Sequence, residues 1–306
     1  MKINEQLIEI QEHFGVISSE VILITGSIIL LILGILKTPL LWVKGVTALV
    51  LLGSFIYVPK EQGLFFTQTI IKDNLSHLMN QLLPLVTFGV LCFKTRKHQS
   101  YEFYFLLISA LIGSLFMVGS HNLLILYLAI ELTSYSSYLL TGSDFNEKGS
   151  EAALKYLLFG GLSSAVMLFG ISLLYGANHS LYFDIMEFSI LDVTGLVFFL
   201  SGLFFKTYIV PFHIWIPTTY QGAPTDSVAF FSTVPKIAGF AALCHVFKWT
   251  NELFNPFLEN LILFLAIVTL LWGTLCALRQ TDTKRMLSYG AMAHSGFILP
   301  LCLFVE

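Results

Sequence analysis

Two lysines standing deep inside apolar runs constrain this chain more than any other feature. Between Gly195 and Ala241 lie two stretches long enough to cross a bilayer, one carrying Lys206 and the other Lys236, each far from the span ends. A central lysine costs about 2.5 to 3.5 kcal/mol on insertion scales, so such residues face a protein interior or a watery cavity and mark an ion or proton path. Proline stands beside both: Pro211 follows Lys206 by five residues, and Pro235 immediately precedes Lys236. Each proline lacks an N–H, so the carbonyls of Thr207 and Phe231, four residues upstream, lose their helical partners. Freed backbone at membrane depth must line a cavity or be satisfied by neighbouring groups.

Composition agrees with a membrane setting. The 306 residues are 56% hydrophobic and only 11% charged, with a mean hydropathy of +0.80, whereas a soluble domain carries about 25% charge. The net charge of -3 and the lack of a basic run give nucleic acid nothing to bind. Cys92, Cys244, Cys276 and Cys302 each stand alone in apolar surroundings, without the spacing of zinc, iron–sulfur or redox disulfide sites, and read as small packing residues. No Gly-rich dinucleotide fingerprint or P-loop is found, so any electron transfer belongs to other polypeptides. The opening MKINEQLIEIQEHFG is acidic and lacks a signal peptide's basic start and cleavage site, so the first span is expected to be retained.

Apolar runs of about 20 residues predict an all-α, polytopic bundle of ten spanning helices. They are centred within 16–36, 40–58, 77–94, 102–119, 122–141, 151–176, 193–215, 226–248, 256–278 and 285–305. Cations follow the first, third and ninth spans: Lys37 with Lys44, then Lys94, Arg96 and Lys97, then Arg279, Lys284 and Arg285. Parity puts all three groups on one side, which the positive-inside rule makes cytoplasmic, with the N-terminal tail outside. The loop after the second span, with Lys60 and Lys72 against Glu61 and Asp73, fits that rule less cleanly.

Depth follows from a rise of about 1.5 Å per residue. Glu131 comes to roughly 13 Å, Lys236 to roughly 15 Å and Lys206 to roughly 18 Å along their helices, so three spans place titratable groups near one level. That arrangement suits a proton relay better than a static pair, because a buried ion pair adds little net stability and Glu131 with Lys206 would leave Lys236 over. Lys155 is shallower, and Glu151 precedes it at the i,i+4 spacing of a helix-end salt bridge, which competes with a relay role. His213 in VPFHIWIP and His294 in the last span could each exchange protons or simply be hydrogen-bonded interior histidines; for His245 the interior reading is favoured. Trp42, Trp215 and Trp249 read as interface anchors.

At this point five strings converge on a family. YLAIELTSYSSYLLTG (127–142), EAALKYLLFGGLSSAVMLFGISLLYG (151–176), FKTYIVPFHIWIPTTYQGAPT (205–225), STVPKIAGFAAL (232–243) and ALRQTDTKRMLSYGAMAHSGFIL (277–299) resemble the antiporter-like membrane subunits of proton-pumping NADH:quinone oxidoreductase, respiratory complex I, most of all the subunit N branch. The resemblance implies two inverted five-helix repeats with broken helices, including a broken seventh. It also implies a charge line that moves protons while quinone is reduced in neighbouring subunits. By motif position Glu131 is the family's fifth-helix glutamate, Lys155 its sixth-helix lysine, Lys206 its seventh-helix lysine and Lys236 its eighth-helix lysine. It further implies no cofactor on this chain, NADH, FMN, iron–sulfur clusters and quinone in partner subunits, and a hetero-oligomer in the bacterial inner membrane.

The chain then divides into three N-terminal helices (1–100), the first five-helix repeat (101–250) and two helices of a second repeat (251–306). Pro235 departs from the family pattern, and family members carry about four further helices, so the second repeat is expected to be incomplete in this chain. Two other readings stay open: a subunit of a related cation/proton antiporter or membrane-bound hydrogenase, and a structural spacer that conducts nothing.

Overall fold

The computed structural model describes residues 15–92, 100–183, 189–250 and 256–304. Each of the ten expected apolar runs is helical within them; nine give helices long and apolar enough to cross a membrane, and the second is shorter. The first six are α1 (Ser18–Ile35), α2 (Leu40–Ile56), α3 (Asn74–Cys92), α4 (Tyr101–Gly119), α5 (Leu123–Thr141) and α6 (Glu147–Asn178). The seventh span is two pieces, α7 (Ile190–Thr207) and α8 (Ile216–Gly222), and so is the eighth, α9 (Thr225–Phe231) and α10 (Val234–Trp249). The ninth is α11 (Pro256–Leu278); the tenth, α12 (Thr283–Ile298), tightens into a 3-10 turn over Leu299–Phe304, where Pro300 removes a helical donor. α2 has 17 residues, about 25 Å at helical rise and near the shortest length that spans.

Polar caps start several of these helices. Asn122 accepts from the N–H groups of Leu124 and Ile125 at the head of α5, and Asn146 from Gly149 at the head of α6. Ser189 and Asp192 form a reciprocal capping box on α7, and Asp282 accepts from Arg285 on α12. Each cap satisfies N–H groups that the first turn leaves without an intrahelical acceptor. Inside α5 the hydroxyls of Thr133, Ser134, Ser136, Ser137 and Thr141 all donate to the carbonyl four residues back, at 2.7–2.9 Å. A helix so rich in hydroxyls can therefore sit in an apolar medium with its polar groups paired. Close approach does the rest: at Gly170 of α6 a Cβ would lie 2.4 Å from the Phe199 nitrogen of α7, so only glycine lets these two helices touch backbone to backbone.

One element was not legible as structure: an antiparallel ribbon, β1 (Gly63–Phe65) with β2 (Ile70–Lys72), inside the long loop after α2. It lies over one end of the bundle. Ile70 bridges to Ser120, His121 N–H donates to the Thr69 carbonyl, and the Tyr182 hydroxyl donates to the Thr67 carbonyl. Two consecutive residues at its exit carry opposite charges to different helices. Lys72, buried, pairs at 2.5 Å with Glu20 of α1, which also accepts from Ser19 and Asn80. Asp73 pairs with His245 Nε2 of α10 at 2.9 Å and caps α3 through the Ser76 N–H at 2.8 Å. Burial pushes the Asp73 carboxyl up. The hydrogen bond and charge of His245, with the Ser76 N–H, outweigh that and hold it well below the usual carboxylate range. The awkward cation of this loop is thus neutralised within the fold.

The opposite end gathers the described cation-rich loops. Tyr101 at the head of α4 donates to the Thr38 carbonyl in the turn after the first span, which holds Lys37. Lys284 donates to the Ala223 carbonyl and Gln221 to Asp282, which joins the turns after the seventh and ninth spans, with Lys284 and Arg285. Lys94, Arg96, Lys97 and the acidic N-terminal tail fall outside the described residues. Trp42 is exposed on the apolar surface as an anchor should be. Trp215 is not: it is buried and stacked on Tyr156 at 4.0 Å, because the break in the seventh span turns it inward.

Candidate functional site

The seventh span stops one residue after Lys206. Tyr208 takes a left-handed conformation (φ 69°) that closes α7, Ile209 N–H reaches back to the Phe204 carbonyl, and Val210 N–H turns to the Thr269 hydroxyl of α11. The eighth span breaks at Ser232 and Thr233, and Lys236 stands in the first turn of the resumed helix. Both interruptions therefore occur beside the lysines, where the prolines lie in the sequence.

The two breaks are bonded to each other. The Tyr208 hydroxyl donates to the Phe231 carbonyl at 3.0 Å, the acceptor that Pro235 deprives of a helical N–H. The Tyr208 ring lies 5.1 Å from Lys236 Nζ, within cation–π range. Tyr208 also meets the Tyr220 hydroxyl of α8 at 3.5 Å. Gly239, one turn beyond Lys236, lets α10 approach the Lys206 stem: a Cβ there would lie 2.9 Å from Thr207 Cγ2 and 3.6 Å from Lys206 Cγ.

Each expected residue has a definite place. Lys206, 2% exposed, donates to the Ser134 hydroxyl of α5 at 3.2 Å. Glu131 lies one turn before Ser134 and accepts from the Ser164 hydroxyl of α6, so serines stand between the carboxylate and the neighbouring helices. Lys236, 7% exposed, donates to the Ala291 carbonyl of α12 at 2.6 Å. It also lines a cavity of about 450 Å³ with Tyr220, Ser232, Lys284 and His294. Lys206, Lys236 and Glu131 thus occupy adjoining helices, and His294 shares the Lys236 cavity.

Lys155 and His213 are placed apart. Lys155 pairs with Glu151 at 2.5 Å, as the i,i+4 spacing anticipates, and both side chains are substantially exposed. His213 sits in the seventh-span break with its ring edge-on to Trp272 of α11, away from the cavity around Lys236. The hydroxyls of Tyr208, Tyr220, Ser134 and Ser164 escaped sequence reasoning. Only the serine-rich SYSS run in α5 and a tyrosine wedged between a buried lysine and a proline could have signalled them.

Chemically, this is a run of groups that both give and take protons, tyrosine and serine hydroxyls between ammonium groups, embedded in aromatic packing. Broken helices meeting at buried charges define a polytopic membrane protein of the broken-helix transporter type. A family model described as "NADH:quinone oxidoreductase/Mrp antiporter, TM" matches residues 120–305, and the chain belongs to that family. A protein of Bartonella bacilliformis named NADH-quinone oxidoreductase subunit N is 34% identical, over 95% of this chain and 64% of its own. The NADH-ubiquinone oxidoreductase chain 2 of Oenothera berteroana is 34% identical over 77% and 51%.

Solved structures agree. A chain of respiratory complex I from Thermus thermophilus, solved with bound aureothin, superposes with a TM-score of 0.81 at 33% identity, over 91% of this chain and 62% of its own. A chain of an archaeal membrane-bound sulfane sulfur reductase superposes with a TM-score of 0.82 at 20% identity, a likeness of fold. This chain spans less than two thirds of the length of these relatives.

Proposed function

We propose that this chain is a proton-translocating subunit of NADH:quinone oxidoreductase, the subunit N type. In it a Lys236, Lys206 and Glu131 line moves protons while quinone is reduced in neighbouring subunits. The observation that carries this reading is the Tyr208 bridge, which links the break beside Lys206 to the break beside Lys236. Protons enter at the cation-rich end past Lys284 and reach Lys236 through the cavity it shares with Tyr220 and His294. Tyr220 and Tyr208 pass them inward by exchanging hydroxyl hydrogen bonds, and Lys206 receives them beside Ser134. The Glu131 carboxylate draws positive charge toward the Lys206 end by simple Coulomb attraction. Lys155 and His213 are auxiliary in this reading, Lys155 at the surface with Glu151.

The cation-rich end is cytoplasmic in a bacterial inner membrane, with the N-terminus outside, and 1–100, 101–250 and 251–306 act as N-terminal helices, channel repeat and start of a second repeat. The chain holds no redox centre; NADH, FMN, iron–sulfur clusters and quinone belong to its partners in a hetero-oligomer. Lys206→Arg in the assembled complex tests the reading, since guanidinium keeps its charge but does not release its proton. Proton uptake by reconstituted vesicles should fall more than tenfold, with coupled quinone reduction falling alongside. Wild-type pumping by this variant would eliminate Lys206 as a carrier, and co-purification with hydrogenase subunits instead of flavin and iron–sulfur subunits would favour the related antiporter-type complexes.

A further inference from the structure

At the hairpin end four ionisable side chains follow one another in two contacting pairs: Glu20 on α1 with Lys72, and Asp73 with His245 on α10, Lys72 and Asp73 being consecutive at the exit of the ribbon. This string crosses from the first span to the eighth, and it ends on the helix that bears Lys236. We propose that the string is a strap that fixes the depth and rotation of α10, with Asp73 and His245 as positioning residues for Lys236. The proposal rests on the proton-translocation reading above.

The mechanical argument begins with the break. Because the eighth span is interrupted at Ser232 and Thr233, α10 has no continuous helix holding it on the lysine side. At its far end His245 is fully engaged: Nδ1 faces the Val118 carbonyl at 2.9 Å, Nε2 faces the Asp73 carboxylate at 2.9 Å, and the ring stacks on Trp249. Both ring nitrogens are thereby engaged, so the ring cannot rotate or slide without losing a contact. Asp73 in turn cannot drift, since its neighbour Lys72 is pinned in the interior by Glu20, which Ser19 and Asn80 hold in place. Lys236 reaches the Ala291 carbonyl at 2.6 Å, a contact that a small slide of α10 would break. Displacements of about 1 Å can cost a hundredfold in rate at a reacting centre.

The experiment measures proton transport of the assembled complex in vesicles as a double-mutant cycle. Asp73→Asn preserves the cap on α3, because asparagine caps as well as aspartate, and removes only the charge; it should transport several-fold more slowly, and Asp73→Glu, which keeps the charge, should recover most of the loss. His245→Gln should slow transport by a similar factor, and Asp73→Asn with His245→Gln should be no slower than either alone, because both remove one contact. His245→Gln answers the question if Asp73→Asn does not assemble. Wild-type transport in these variants, or losses that multiply in the double variant, would overturn the strap. Lys206→Arg measured in parallel keeps the two ideas apart: normal transport there defeats the translocation reading, whereas its loss beside unaltered Asp73→Asn transport defeats only the strap.

Discussion

Tyr208 donates its hydroxyl hydrogen to the carbonyl oxygen of Phe231 at 3.0 Å, so one side chain from the seventh-span break closes the vacancy that Pro235 opens in the eighth. A buried carbonyl left without a donor costs about 1 to 3 kcal/mol. Tyr208→Phe keeps the ring near Lys236 but removes the donor and also the partner of Tyr220. The variant should destabilise the subunit by about that amount and slow proton transport, because the hydroxyl route between the lysines is cut. Thermal unfolding of the assembled complex in detergent, with transport in vesicles, measures both. Unchanged transport would show that protons pass between Lys236 and Lys206 by another route.

This bond also shows where sequence reasoning reaches its limit. Pro211 and Pro235 locate the breaks, because the loss of a donor is a local covalent fact. The apolar helices were equally legible, since apolar length is local, although the second is shorter than the nine long enough to span; so was the Glu151 and Lys155 pair, set by helical pitch alone. What heals a break is a residue far along the chain, such as Tyr208 for Phe231 or Thr269 for Val210, and no local pattern encodes that choice. Trp215 illustrates the same limit: a tryptophan near a span end suits an interface, yet the break carries it into the interior against Tyr156. The hairpin strands of three residues each are too short for a period-2 signal to stand out from a loop.

Lys72 and Glu20 form a second relationship that only the fold reveals, because the two residues lie on different elements and each is nearly inaccessible. Removing one partner of such a pair leaves an uncompensated buried charge, at a cost of about 3 to 5 kcal/mol. Replacing both can be close to neutral. Lys72→Met should therefore lower the thermal stability of the assembled complex markedly, while Lys72→Met combined with Glu20→Gln should recover most of it. Glu20→Gln can still bond to Ser19 and Asn80, which supports that recovery. A double variant no better than the single would mean that Lys72 acts through its packing and not through its charge.

The Asp73 and His245 pair gives an acid limb to stability whose sign can be worked out. Asp73 is held well below its ordinary range in the folded protein, chiefly against burial and in favour of His245 and the Ser76 N–H. In the unfolded chain it titrates near 3.9. A group depressed on folding contributes stability that is complete above the unfolded value and is lost as pH falls through the folded one. Between about pH 5 and 8, both well above the unfolded value, the contribution of the Asp73 carboxylate itself to the difference between wild type and Asp73→Asn should not vary. Below about pH 4 it should shrink steadily, because the carboxylate freed on unfolding then takes up a proton, which favours the unfolded chain. Thermal unfolding of the detergent-solubilised complex on a pH series checks this, with amide exchange at Ser76 reporting locally on the cap. A difference that fades already between pH 7 and 5 would mean that Asp73 is not held by His245 in the folded state.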